Sequence, residues 1–438
     1  VYNLDDLGRS QDVLLSRVND IEKQLGKFNR EHDKITGQHK TSFEPEITDG
    51  TIHQFWRGDK LWASFPYINV LEYDADPTGA TDSTAAIQGA IDASPGGTVY
   101  IPAGTYKTTT PIFLKAGVHI EGASSISTII SIDHSGTSHA AAFQSPAGAD
   151  LYEFSIRHLW IIFGACGTPS AQAADIGINL LATGGMYLYD VTDIRIGNAY
   201  WAYYDDSDGF HGKVDRVWSN MCRNGFYKKH GDTIIFENCE VGGRKDLTDG
   251  YAYYFENIMG LVMNSCVCES WKANDVFYFK DLRQSTFINP YLEDVLTLTT
   301  GTNDKRMVFF DNCRGTTLSG ITFWACYVTP ANNYQLNLLY FNNGNGTICG
   351  QIEGSGGSNK ITPDNIDDYD VLSKVHTLGF NGTAHFALTG CDIYELETAG
   401  GYLGAKYALK NYSNTSHIVV IASTITSTSD DFAQITVV

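Results

Sequence analysis

The stretch TDSTAAIQGAIDASPGGTVYIPAGTY, residues 81–106, decides the fold. TDST sets capping hydroxyls and a carboxylate at a helix start, and Ala86, Ile87, Ala90 and Ile91 follow as one apolar helical face. SPGG ends that helix, and TVYIPAGTY and then GVHIEG (117–122) alternate or run apolar between turn residues, as strands do. A helix ahead of a long series of strands is what a solenoid needs at its first turn, because a terminal repeat has to cover the open core and the free sheet edges.

Downstream, similar segments recur: VTDIRIGN, VDRVWSNM, FENCEVGG, MNSCVCES, INPYLEDV, SGITFWAC and LTGCDIYE. Aligning Ile194, Val217, Cys239, Cys266, Tyr291 and Ile321 gives intervals of 23, 22, 27, 25 and 30 residues, one solenoid turn each. Inward positions of successive turns then lie one above the next at about 4.8 Å. Cys239, Cys266 and Cys391 share such an inward column as small apolar side chains. A metal site would want a second CxxC-like pair or nearby histidines, and a redox pair would be CxxC rather than CxC, so the cysteines of NSCVCESW (264–271) are read as core and no metal is expected.

The same alternation points Glu240, Val267 and Glu269 outward and Cys268 inward beside Val241. One turn later the column of Glu269 holds Asp294, with Glu293 inward; a one-residue bulge exchanges them. Trp218, Trp271 and Trp324 supply stacking surface nearby. Glycoside hydrolysis uses a protonated and an ionised carboxyl about 5–5.5 Å apart in retaining enzymes and about 6.5–9.5 Å apart in inverting ones. Glu269 with Asp294 or Glu293 on adjacent turns fits the first spacing, and Glu240 across two turns fits the second. Outward carboxylates of this kind are also ordinary solvated surface in a chain with 50 Asp and Glu residues. The basic run YKKHG and GGRKD, with His230 and Arg244 as candidate substrate-binding residues, offers the alternative of neutralising a uronate and abstracting its proton. DDSDGF (205–210) fits a calcium loop poorly, since Tyr204 falls on the first ligand position, and is read as a polar turn.

The composition narrows the function classes. A net charge of −20 argues against nucleic acid, whose binding needs clustered Lys and Arg. No apolar run is long enough to cross a bilayer. Nine cysteines scattered over 438 residues point to reduced thiols and folding in a cytoplasm, and no cofactor is implied. Upstream, Leu14, Val18, Ile21, Leu25 and Phe28 are spaced 4, 3, 4, 3 as a coiled-coil seam of the three- or four-stranded kind, or as the apolar face of a single helix.

The segment from INVLEYDADPTGATD through the TDSTAAIQGAID helix and the IPAGTY strand resembles the opening of the pectate-lyase-like superfamily as it occurs in bacteriophage tailspikes. The loop DADPTGA departs from the commoner glycine-rich form. The resemblance implies a right-handed parallel β-helix in a homotrimer. It further implies a receptor-binding tailspike, made in the host cytoplasm and attached to a phage tail or baseplate, that binds and depolymerises a bacterial capsular or O-antigen polysaccharide. Hydrolysis ranks above β-elimination, and both rank above a non-catalytic adhesin. The expected organisation is a coiled-coil helix over 1–35, a connector over 36–67, the capped β-helix over 68–385 and a β-rich carboxy-terminal region over 386–438.

Overall fold

The computed structural model describes residues 16–25, 27, 54–56, 62–64, 67–133, 140–164, 170–181, 185–244, 250–273, 276–297, 305–324, 327–328, 336–353, 360–361, 375–381, 383–393, 407–411, 417–421, 424–425 and 435–437. The chain divides into Val1–Phe65 and Pro66–Val438. In the first unit a helix occupies 16–25, with Val18, Ile21 and Leu25 of the apolar seam exposed on the single chain. A short antiparallel pair joins Gln54–Trp56 to Trp62–Ser64.

The second unit is a parallel β-solenoid of about nine turns. Its cap helix, Thr84–Asp92, buries Ile87, Ala90 and Ile91. Asp82, not the hydroxyl of Ser83, caps it by accepting from the amide and hydroxyl of Thr84, while Ser83 Oγ is taken by the amide of Asp76. The helix also seals a sheet edge. Gln88 accepts from the amide of Phe113 and donates to its carbonyl, the two bonds a neighbouring strand would make.

Each full turn contributes three faces. On the first, strands such as Tyr253–Met259, Phe277–Lys280, Lys305–Asp311 and Leu336–Asn342 stack in parallel. Their inward column runs Leu180, Asp205, Lys228, Phe255, Phe279, Phe310, Phe341 and Phe380. Neighbouring phenylalanine rings in it lie 4.7–5.8 Å apart, and each buried ring contributes about 1.5–3 kcal/mol. The second face is built from short strands such as Ile235–Glu237, Val262–Asn264 and Thr286–Ile288. The third carries Glu240–Arg244, Val267–Ala273 and Tyr291–Glu293.

Left-handed residues make the corners. Between second and third faces stand His158, Asp193, Arg216, Asn238, Ser265 and Asn289, all at positive φ. Beyond each, an inward side chain follows: Leu159, Ile194, Val217, Cys239, Cys266 and Pro290. The alignment expected at Tyr291 is therefore one residue late, because Pro290 takes that inward position and Tyr291 turns outward. Cys391 likewise leaves the column: a register shift pairs it with Gly350, and Ile393 continues Ile352. A second run of corners, Asn198, Met221, Gly243, Ser270 and Asp294, closes the third face.

Cys222, Cys239, Cys266 and Cys313 each follow a left-handed residue and are fully or nearly fully buried, each donating to a carbonyl two residues back and to another on the neighbouring turn. Cys268 is buried opposite Val241, as the alternation requires. Parallel pairing also runs past residue 385, through Tyr407–Asn411, His417–Ile421 and Ile435–Val437, so the described strands beyond that boundary continue the solenoid.

Candidate functional site

The third face presents two outward columns. One holds Trp160, Arg195, Trp218, Glu240, Val267, Tyr291 and Thr322; the other, two residues further along each strand, holds Ile162, Gly197, Asn220, Gly242, Glu269 and Glu293. The second column lacks side chains at two turns, and this makes a groove. A Cβ on Gly197 would lie 3.7 Å from the Asn220 carbonyl oxygen and 3.8 Å from Trp160 Nε1, and one on Gly242 would lie 3.3 Å from the Glu269 carbonyl oxygen, 3.8 Å from Glu240 Oε1 and 3.9 Å from Glu269 Cβ. Gly197 leaves room for a cleft, whereas at Gly242 glycine is needed because the Glu269 backbone comes close.

Around Gly242 stand the acids. Glu240 is half-buried, and burial first, then the charge of Glu269, raises its pKa above the ordinary 4.5. Glu269 is exposed, directly opposite Gly242 on one side and Glu293 on the other. One turn along the axis and two residues along the strand separate Glu240 from Glu269, a diagonal of roughly 8 Å between backbones. Glu293 accepts a hydrogen bond from the Tyr291 hydroxyl at 2.9 Å. The bulge alternative for the column is thus the one adopted. Asp294 is instead a left-handed corner residue whose carboxylate accepts from Ser270 Oγ at 3.1 Å.

At the other end a cleft of about 60 Å³ is lined by Trp160, Arg195, Gly197, Trp218 and Asn220 among others. The Arg195 guanidinium lies over the Trp218 ring, 4.9 Å from its centroid. The buried Trp218 Nε1 donor has no hydrogen-bond partner among the described residues.

Several expected site residues stand elsewhere. Trp271 is completely buried, because the left-handed Ser270 turns the following side chain into the core, and it offers no stacking surface. Trp324 aligns with Glu293, and its side chain lies outside the described residues. His230 sits at a first-face corner, where its Nδ1 is 2.9 Å from Asn257 Nδ2, while Arg244 ends a third-face strand and its side chain is outside the described residues. The basic run is therefore split between faces. Its Lys228 is interior: fully buried, it donates to Asp205 Oδ1 at 2.9 Å and to the Ser207 carbonyl at 2.7 Å. Asp205 also accepts from Tyr189, Tyr203 and Ser207, so the polar turn at 205–210 is filled by an ammonium group. No group of three or more His, Cys, Asp or Glu poised to hold a metal occurs among the described residues.

Sequence reasoning passed over Trp160, Arg195, Gly197, Asn220 and Gly242. The signal was present in the alternation of LWIIFG, DIRIGN, VWSN and CEVGG, whose outward letters spell the groove.

Comparison with known proteins fits this architecture. Residues 67–157 match the family described as rhamnogalacturonase A/epimerase, pectate lyase-like. Over 102 residues the chain is 36% identical to the mannuronan C5-epimerase AlgE4 of Azotobacter vinelandii, a match covering 21% of this chain and 18% of that protein. In three dimensions it resembles a DFA-IIIase from Arthrobacter chlorophenolicus A6 in complex with DFA-III, with a TM-score of 0.59 at 14% identity over 85% of this chain and 98% of that one. It also resembles the gp42 tailspike of Acinetobacter phage vb_AbaP_AS12, with a TM-score of 0.57 at 15% identity over 84% and 65% of the two chains. The chain is thus a parallel β-solenoid whose first turns, residues 67–157, carry the pectate-lyase-like sequence similarity.

Proposed function

We propose that this chain is the receptor-binding depolymerase of a phage tailspike, cutting a bacterial capsular or O-antigen polysaccharide by glycosidic hydrolysis in the third-face groove. The observation that carries the reading is Glu240, its pKa raised by burial and by Glu269, with both acids flanking the side-chain-free position of Gly242. In the reaction the protonated Glu240 carboxyl gives its proton to the glycosidic oxygen as the bond to the anomeric carbon breaks. Glu269 takes a proton from the water that attacks that carbon from the opposite side. In this single displacement the products carry the inverted anomeric configuration. Glu293, tied to Tyr291, adds negative charge near the developing oxocarbenium ion.

The tailspike resemblance and the exposed seam at Val18, Ile21 and Leu25 support a homotrimer with that seam as its coiled coil, positioned at a virion tail. Light scattering of the full chain reads the trimer, and a monodisperse monomer removes it. The hydrolytic reading is tested by incubating wild type, Glu240→Gln and Glu269→Gln with purified capsules and O-antigens and following new reducing ends and product mass. Each substitution lowers turnover at least about a hundredfold while the glycan still binds. Products with unsaturated, ultraviolet-absorbing ends and no added water assign β-elimination instead. Wild-type rates in both variants would remove the acid pair from the chemistry.

A further inference from the structure

We infer that Arg195 anchors a negatively charged sugar at the tryptophan end of the groove, and that the glycan bound there alternates charged with neutral residues. The inference rests on the groove being the glycan site proposed above. Arg195 makes no ion pair among the described residues, although the chain carries 50 Asp and Glu residues against 30 Lys and Arg. Arg157 pairs with Asp190 at 2.7 Å and Arg216 with Asp193 at 2.6 Å, whereas the exposed Arg283 and Arg314, like Arg195, form no ion pair among the described residues; what sets Arg195 apart is its place over Trp218 in the cleft. An unpaired guanidinium held over a tryptophan in a cleft, in a chain of net charge −20, is a cation kept for something outside the chain.

The surroundings narrow what that is. Gly197 leaves the floor beside Trp160 open, and the Trp218 indole N–H is a buried donor with no acceptor among the described residues. Guanidinium geometry favours a two-oxygen acceptor such as a carboxylate, held by paired hydrogen bonds. The rings on either side supply apolar contact for the sugar that carries it. From two to four turns away, beginning about 10 Å along the axis, the groove changes sign: Glu240, Glu269 and Glu293 face it with no cation opposite them in either column. A polymer charged on every residue would bring a carboxylate against these three acids. One with a single acidic sugar per repeat satisfies Arg195 and presents a neutral sugar to the acid pair.

The test is calorimetric, on the Glu269→Gln background so that binding is read without cleavage. The probes are purified capsular polysaccharides with one uronic acid per repeat, each beside its carboxyl-reduced neutral form, and polygalacturonate as a polymer charged at every residue. Native capsule binds at least tenfold more tightly than its reduced form, and Arg195→Gln abolishes that difference, costing the native form at least tenfold more affinity than the reduced form. Arg195→Lys restores part of it. Equal loss on both forms, no preference for the native form, tighter binding of polygalacturonate, or no binding of any capsule overturns the inference. If the charge preference appears but the parent chain with Glu269 releases no new ends from the bound capsule, the Arg195 subsite stands and the hydrolytic reading falls.

Discussion

Replacing Lys228 by methionine tests whether the buried ion pair is integral to the stack of turns. The ammonium lies where the column above and below holds Phe255 and, beyond Asp205, Leu180, so an apolar side chain of similar length fits without leaving a cavity. What changes is electrostatic. The substitution removes the Lys228 Nζ bonds to Asp205 and to the Ser207 carbonyl, and leaves the Asp205 charge fully buried. Breaking such a pair costs about 3–5 kcal/mol, and the four donors that Asp205 keeps from Tyr189, Tyr203 and Ser207 place this case near the lower end, about 3 kcal/mol. The double variant Asp205→Leu with Lys228→Met removes the stranded charge but takes the Asp205 acceptor from both tyrosine hydroxyls and from the Ser207 amide and hydroxyl, and the ammonium donor from the Ser207 carbonyl. It remains less stable than wild type, yet by less than the sum of the two single changes. Burial also draws the Lys228 pKa below its ordinary 10.5, so between that lowered value and 10.5 the unfolded chain holds the additional proton and stability rises with pH. That slope disappears in Lys228→Met. Equilibrium urea unfolding followed by tryptophan fluorescence, at fixed chain concentration and several pH values, measures all of this. A Lys228→Met variant within about 1 kcal/mol of wild type would refute the reasoning, since it would mean the pair is not desolvated as described.

Other expectations concern the groove and the thiols. Gly242→Ala puts a methyl group 3.3 Å from the Glu269 carbonyl oxygen and 3.8 Å from Glu240 Oε1; the backbone there is not left-handed, so the cost is that of easing the tight carbonyl contact, about 1–2 kcal/mol, while turnover falls roughly tenfold to a hundredfold, and full activity would show that the position is not next to the reaction. The rate falls as pH rises through the raised Glu240 value, where the acid form is lost, and a carbon NMR titration of that carboxyl in Glu269→Gln moves back toward 4.5 as the neighbouring charge goes. Cys222, raised to about 11 by burial, Cys313, raised to about 12, and Cys239 and Cys266 stay unmodified by a thiol reagent until the chain is denatured; rapid labelling of the native protein would contradict their placement.

The fold was legible in the sequence because a solenoid repeats its instructions. The helix and strands of 81–106, the turn length and the inward cysteines at 239 and 266 all follow from local periodicity. Misreadings came where a left-handed corner resets the alternation. Ser270 turns Trp271 into the core, and Asn289 makes Pro290, not Tyr291, the first inward residue of its strand. Counting parity by two from Cys266 cannot detect this, whereas starting each count after an Asn, Ser or Asp corner does. Lys228 was misplaced for another reason. It alternates with Phe226 as an inward residue should, but its partner Asp205 lies one turn away and is visible only once the register between turns is known.

The cap helix has a consequence for how the protein is made. Each turn pairs only with the turns on either side of it, and the helix that closes the first turns lies at the amino-terminal end of the stack. A ribosome adding about 5–20 residues per second delivers one turn of this length every 1–5 s or so. The earliest template is therefore finished on one side before its successor arrives. Each new segment docks on the free edge facing the ribosome, while on the first face the edge at Phe113 is already occupied by Gln88 of the cap helix.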